Sequence, residues 1–63
     1  MRITSLKELD LSNNCITKIE NVEDLQNLEF LDLSKNSIPK IEGIDNLEKL
    51  KILNLSDNEI ESI

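Results

Sequence analysis

The apolar residues of this chain recur with a period of 22. Residues 6–16, 28–38 and 50–60 share leucines at their first, fourth and sixth positions, an asparagine at the ninth and an isoleucine at the eleventh. Residues 17–27 and 39–49 repeat as well, with an apolar residue at every third position. Three blocks in register predict a protein built from stacked copies of one small unit.

Each unit divides into a strand and a return. In residues 6–11, the apolar Leu9 and Leu11 alternate with the polar Glu8 and Asp10, which predicts a strand with one buried face. In the return, the three-residue spacing of apolar side chains is typical of turns or a short 3₁₀ helix. Stacking the units pairs their strands into a parallel sheet, with neighbouring rungs about 4.8 Å apart.

An asparagine follows each predicted strand, namely Asn14, Asn36 and Asn58. Its side chain offers donors and an acceptor at the point where backbone groups lose their partners in the sheet. We therefore predict that these three residues are structural and bond to the next rung, with Asn58 contributing less than Asn36. Pro39 and Gly43 lie in a return, where a fixed φ or a missing Cβ is expected to be tolerated.

The sequence Leu-Asp-Leu-Ser-x-Asn-x-Ile-x-Lys-Ile-Glu occurs at residues 9–20 and again at residues 31–42. With the 22-residue period, it resembles the intracellular 22-residue leucine-rich repeats typified by the type-1 protein phosphatase regulatory subunit and axonemal dynein light chain. The resemblance covers nearly the whole chain. It implies an α/β fold, a right-handed solenoid with short parallel strands on the concave face and 3₁₀ or irregular returns on the convex face.

The whole chain, residues 1–63, is predicted to be a single repeat segment. Its units are residues 6–27 and 28–49, with a partial unit at 50–63 and a leading fragment at 1–5. Repeat proteins of this type have more units and dedicated caps, since stability is a sum over units and their interfaces. We therefore expect the segment to come from a longer regulatory, cytoskeletal or ciliary protein, or to be stabilised by another copy or a partner.

The amino-acid composition limits the kinds of partner and the cellular location that we expect for this chain. Thirteen acidic residues against seven basic ones give a net charge of −6, which argues against a nucleic-acid partner. No apolar run is long enough to span a membrane. A single cysteine and the absence of a signal-peptide pattern favour a reducing compartment, so the predicted location is cytoplasmic, with cytoskeletal, ciliary or nuclear sites as further options.

Catalytic motifs are missing from the sequence. Without histidine there is no Ser–His or Cys–His pair, and Gly43 alone cannot form a phosphate-binding loop. The prediction is therefore a protein that is not an enzyme and uses no cofactor, metal or small-molecule substrate.

Strand residues that alternate with the core leucines should point outward. Phe30 and Ile52 then place two apolar side chains together, and Asp10 and Asp32 stack as like charges. One interpretation is that the apolar pair simply covers itself beside a solvated polar row. The other is a partner-binding patch with an apolar anchor and an acidic rim. Its residues are Glu8, Asp10, Phe30, Asp32, Ile52 and Asn54, and the serines Ser12, Ser34 and Ser56 are predicted to point outward beside them.

Two functions follow from this pattern. The first is a scaffold that binds another protein on its concave face, which is also what the family resemblance implies. The alternative is a self-assembling structural element that stacks end to end through the unpaired strands around Leu9 and Leu53.

Overall fold

The strands of the three units form one parallel sheet. The computed structural model describes residues 4–61, so residues 1–3 of the predicted leading fragment and residues 62–63 of the third unit lie outside the described residues. The strands are β1 (Glu8–Asp10), β2 (Phe30–Asp32) and β3 (Ile52–Asn54), in the order β1-β2-β3. Each residue of β1 and β2 pairs with the residue 22 positions later in the next strand, which confirms the predicted parallel rungs.

The strands are three residues long and thus shorter than the pattern suggested. Oδ1 of Asp32 accepts hydrogen bonds from the backbone N (3.0 Å) and the hydroxyl (2.7 Å) of Ser34, and the same arrangement ends the other two strands. Such a side-chain turn competes with the sheet for the serine amide. Ser34 is buried, whereas Ser12 is half-buried and Ser56 is exposed, although all three hydroxyls make the same bond. The burial of Ser34 therefore comes from its place on the middle rung, which is covered from both sides.

The hydrophobic core is centred on the middle rung. Leu28, Leu31 and Ile38 are completely buried, whereas the equivalent Leu9 and Leu53 in the flanking rungs are half-buried. The core is entirely aliphatic, and its buried members are Ile19, Val22, Leu25, Leu28, Leu31, Leu33, Ile38 and Leu47. A leucine in the middle rung is covered from both sides, which explains the gradient.

The returns consist of successive turns. Leu25 N donates to Val22 O (3.0 Å) and Leu28 N donates to Leu25 O (3.1 Å), and the next return repeats this pattern. These bonds join residues three apart, as the apolar spacing predicted. Residues 4–61 contain no helix, so the predicted class is confirmed for its parallel strands only. Accordingly, this part of the chain has no helical segment suited to crossing a membrane.

Gly43 is required in its return, contrary to the expectation that a missing Cβ is merely tolerated there. Its φ is +80°, and a Cβ at this position would lie 2.5 Å from the carbonyl oxygen of Ile19 in the preceding rung. Asn21, the equivalent residue of the preceding unit, also has a left-handed φ of 65°. The backbone conformation is therefore a property of the repeat, while the need for glycine comes from the contact between rungs.

Candidate protein-binding surface

The six predicted partner-binding residues form a compact grid on one side of the sheet, here called the strand face. Its apolar row is Phe30 and Ile52, which the charged Glu8 continues on the first rung, and its polar row is Asp10, Asp32 and Asn54. The strands are in register, so the members of each row are direct neighbours across the rungs. The two rows lie two residues apart along each strand, or roughly 7 Å.

A groove follows the apolar row. Ile52 is 56% exposed and Phe30 is half-buried, and neither belongs to the hydrophobic core of residues 4–61. The groove has a volume of about 370 Å³, and its lining residues are Glu8, Glu29, Phe30, Lys51 and Ile52. An exposed aliphatic side chain in register with an aromatic one gives the strand face an apolar contact point.

Two charged residues beside the groove were not predicted as part of the patch. Lys51 Nζ lies 3.6 Å from Glu29 Oε1, and the Lys51 amide donates to the Glu29 carbonyl (2.8 Å). The residues are 22 positions apart, so the period itself contains the signal that they are neighbours. Both side chains are substantially exposed, and such a surface pair adds little stability.

The aspartates of the polar row also have a structural role, because each accepts hydrogen bonds from the serine two residues later. The hydroxyl of Ser12, and secondly its backbone amide, donates to Asp10 Oδ1, and these bonds lower the pKa of the Asp10 carboxyl below its ordinary value. Asp10 is therefore ionised at neutral pH. The bonds of residues 4–61 engage one oxygen each of Asp10 and Asp32, which leaves the second oxygen available on the strand face.

Asn36 joins two rungs of the solenoid. Its Nδ2 donates to Leu11 O (3.1 Å), Leu33 O (2.9 Å) and Ser34 O (3.1 Å), and its Oδ1 accepts from Ile16 N (3.0 Å). The side chain is buried, as a group that satisfies interior backbone polar atoms should be.

The asparagine ladder has a direction that differs from the prediction. Asn36 and Asn58 bond to the preceding rung, not to the next one; Asn58 reaches Leu33 O (2.8 Å) and Ile38 N (2.9 Å). Asn58 therefore has the same set of contacts as Asn36. Among residues 4–61, it is Asn14 that makes only local bonds, to carbonyls two and three residues before it. We therefore expect the smallest contribution from Asn14, and the prediction that Asn58 contributes less than Asn36 stands, because Asn58 is less buried.

Residues 4–61 contain no group of three or more acidic or cysteine side chains arranged to hold a metal ion. Cys15 is an exposed free thiol. The strand face presents an apolar groove, acidic neighbours and hydrogen-bond acceptors.

Comparison with known proteins identifies the family. A family profile described as "Leucine Rich repeats (2 copies)" matches residues 4–46 and again residues 26–63. No curated protein and no solved structure gave a significant match. The two profile matches together cover nearly all of the sequence, and the described strands repeat at the same interval as the leucines. The chain therefore belongs to the leucine-rich-repeat family.

Proposed function

We propose that the chain is a protein–protein interaction scaffold that binds its partner on the strand face. Leucine-rich repeats are generally protein-interaction modules and are typically not enzymes. The observation that carries the proposal is the pairing of the 56%-exposed Ile52 with Phe30 in one groove. Exposed apolar anchors beside polar groups are the usual centre of a protein interface.

The first prediction concerns this apolar pair. Phe30→Ala combined with Ile52→Ser should weaken binding at least about tenfold, because truncating a central anchor typically costs more than 1 kcal/mol. The strands should persist, since neither side chain belongs to the core. The affinity is measured by titration calorimetry. The ligands are peptides that have been selected from a random displayed library for binding to the unmodified chain.

A matched control replaces two exposed residues of the returns, Asp24→Ala and Glu48→Ala. This variant should bind like the parent chain. Equal binding by the Phe30/Ile52 variant, or a complex in which the strand face is bare, would show that the partner uses another surface.

The proposal also includes the handedness of the solenoid, the repeat subfamily and the cellular setting. Parallel connections of this kind are nearly always right-handed, which supports a right-handed solenoid with the strand face on its concave side. Paired strand residues lie 22 positions apart, which supports membership of the intracellular 22-residue subfamily. That membership in turn supports a cytoplasmic, cytoskeletal or ciliary setting within a longer protein.

Self-assembly is the second candidate, and the two edges of the described sheet favour it. Leu11 N donates to Asp32 O and Leu33 N donates to Asn54 O, both at 2.8 Å. Continuing this pattern places the Leu55 amide at one edge and the Asp10 carbonyl at the other. The edges are thus complementary, and a head-to-tail contact of this type produces open stacks.

The second prediction separates the candidates. If copies stack, light scattering should show a mass that rises with concentration, and a polar capping helix appended after residue 63 should return the chain to a monomer. A monomer at all concentrations, with a melting curve unchanged by the cap, would refute stacking and leave the scaffold proposal intact.

A further inference from the structure

We propose that the strand face recognises an extended peptide segment with an aliphatic side chain and, two residues later, an arginine. The aliphatic side chain occupies the groove at Phe30 and Ile52, and the guanidinium bridges Asp10 and Asp32. The inference rests on the proposed function and specifies the partner of the same surface.

The groove provides the apolar subsite. It lies directly over two neighbouring rungs, with Phe30 half-buried on one and Ile52 exposed on the other. Glu8 continues the row on the first rung, and the Lys51 ammonium lies 3.6 Å from the Glu29 carboxylate at the side. One partner side chain can therefore cover Ile52 and the exposed part of Phe30, with the charged Glu8, Glu29 and Lys51 at its margins.

The polar row provides the charged subsite. Asp10 and Asp32 are paired across adjacent strands, so their backbones lie about 4.8 Å apart. Ser12 and Ser34 hold one oxygen of each carboxylate, which fixes both side chains. A planar guanidinium has donors on separate nitrogens and can bond two such carboxylates at once, whereas a lysine ammonium is a point charge. Bridging also relieves the repulsion between the two aspartates.

The distance between the subsites selects the conformation of the segment. The two rows lie roughly 7 Å apart along the strands, and the aspartate pair is displaced by one rung, about 4.8 Å, towards β1, so the subsite centres are roughly 8 Å apart on a diagonal. An extended peptide that crosses the rungs obliquely places its residues i and i+2 on one face roughly 7 Å apart, and the long arginine side chain spans the remaining distance. The net charge of −6 further favours approach of a basic segment.

The experiment is an NMR titration of the isotope-labelled 63-residue chain with short synthetic peptides. The first peptide has leucine and arginine at i and i+2 between glycine–serine flanks. Others replace arginine by its neutral isostere citrulline, replace it by lysine, or place it at i+1. We expect the arginine peptide to shift the amides of residues 30–33 and 52–54, and the citrulline and i+1 peptides to bind about fivefold more weakly or worse.

The matched variant is Asp10→Asn with Asp32→Asn. It should fold normally, because Asn54 already accepts the same two bonds from Ser56 in the third rung (3.0 and 2.9 Å). The variant should lose the preference for arginine over citrulline, and Asn54→Asp should strengthen arginine binding by lengthening the acidic row.

Each result decides the inference. Equal binding of the arginine and citrulline peptides, or no shift on the strand face at millimolar peptide, overturns it. Equal binding of the lysine peptide overturns the bridging geometry and leaves only a preference for positive charge. The proposed function fails separately, namely if library-selected peptides bind the Phe30/Ile52 variant as tightly as the parent chain.

Discussion

Replacing Asn36 by alanine should lower the free energy of unfolding by about 1–3 kcal/mol. The substitution removes four hydrogen bonds and leaves the partly buried amide of Ile16 without its partner, while the carbonyls of Leu11 and Leu33 keep the side-chain amides of Asn14 and Asn58. Each buried polar group left unsatisfied costs about 1–3 kcal/mol. Urea unfolding followed by circular dichroism measures the effect.

Asn14→Ala is the matched control for this prediction. Asn14 occupies the same repeat position but is exposed, and its two described bonds are local. We expect it to cost no more than about 1 kcal/mol, the typical net value of a solvent-accessible hydrogen bond. An Asn36→Ala variant that unfolds at the same urea concentration as the parent chain would show that the ladder does not hold the rungs together.

The sequence was sufficient to predict the sheet, because a period of 22 can be satisfied by one arrangement only. When Leu9, Leu31 and Leu53 must all face one core, the strands are parallel and in register, as the structure confirms. The direction of the asparagine ladder was not predictable in this way. The side-chain amide of Asn36 could hydrogen-bond to the backbone of the preceding rung or of the following one. Only the path of the turn determines that it contacts Leu11 and Ile16 of the preceding rung.

The position of the candidate site could also be predicted from the alternation of apolar and polar residues along the strands. Phe30 and Ile52 are the apolar residues among otherwise polar outward-facing positions. The pattern missed the return of the serine hydroxyl to Asp32, because alternation treats a strand as continuing where a side-chain turn ends it. It likewise missed the need for glycine at residue 43, which depends on how closely the carbonyl of Ile19 approaches from the neighbouring rung. Contacts between rungs are set by the three-dimensional path of the chain and leave little trace in a single unit.

Leu31→Ala should cost about 3–5 kcal/mol, in the upper part of the range for a buried leucine. Leu31 is completely buried on the middle strand and is enclosed by aliphatic side chains of its own and both adjoining rungs. A cavity at this position removes contacts on two sides at once, and the surrounding strands are fixed by their hydrogen bonds and have little freedom to collapse.

Leu9→Ala and Leu53→Ala test whether the stability of this solenoid is distributed by rung. Both residues share the position of Leu31 in the repeat but are half-buried, so each should cost about 1–2 kcal/mol less than Leu31→Ala. End-to-end stacking changes this expectation, because a neighbouring copy would bury the flanking rungs as deeply as the middle one. In that case the cost of Leu9→Ala and Leu53→Ala should rise with protein concentration towards that of Leu31→Ala. Three equal costs in dilute monomer would contradict the gradient of burial from which the argument starts.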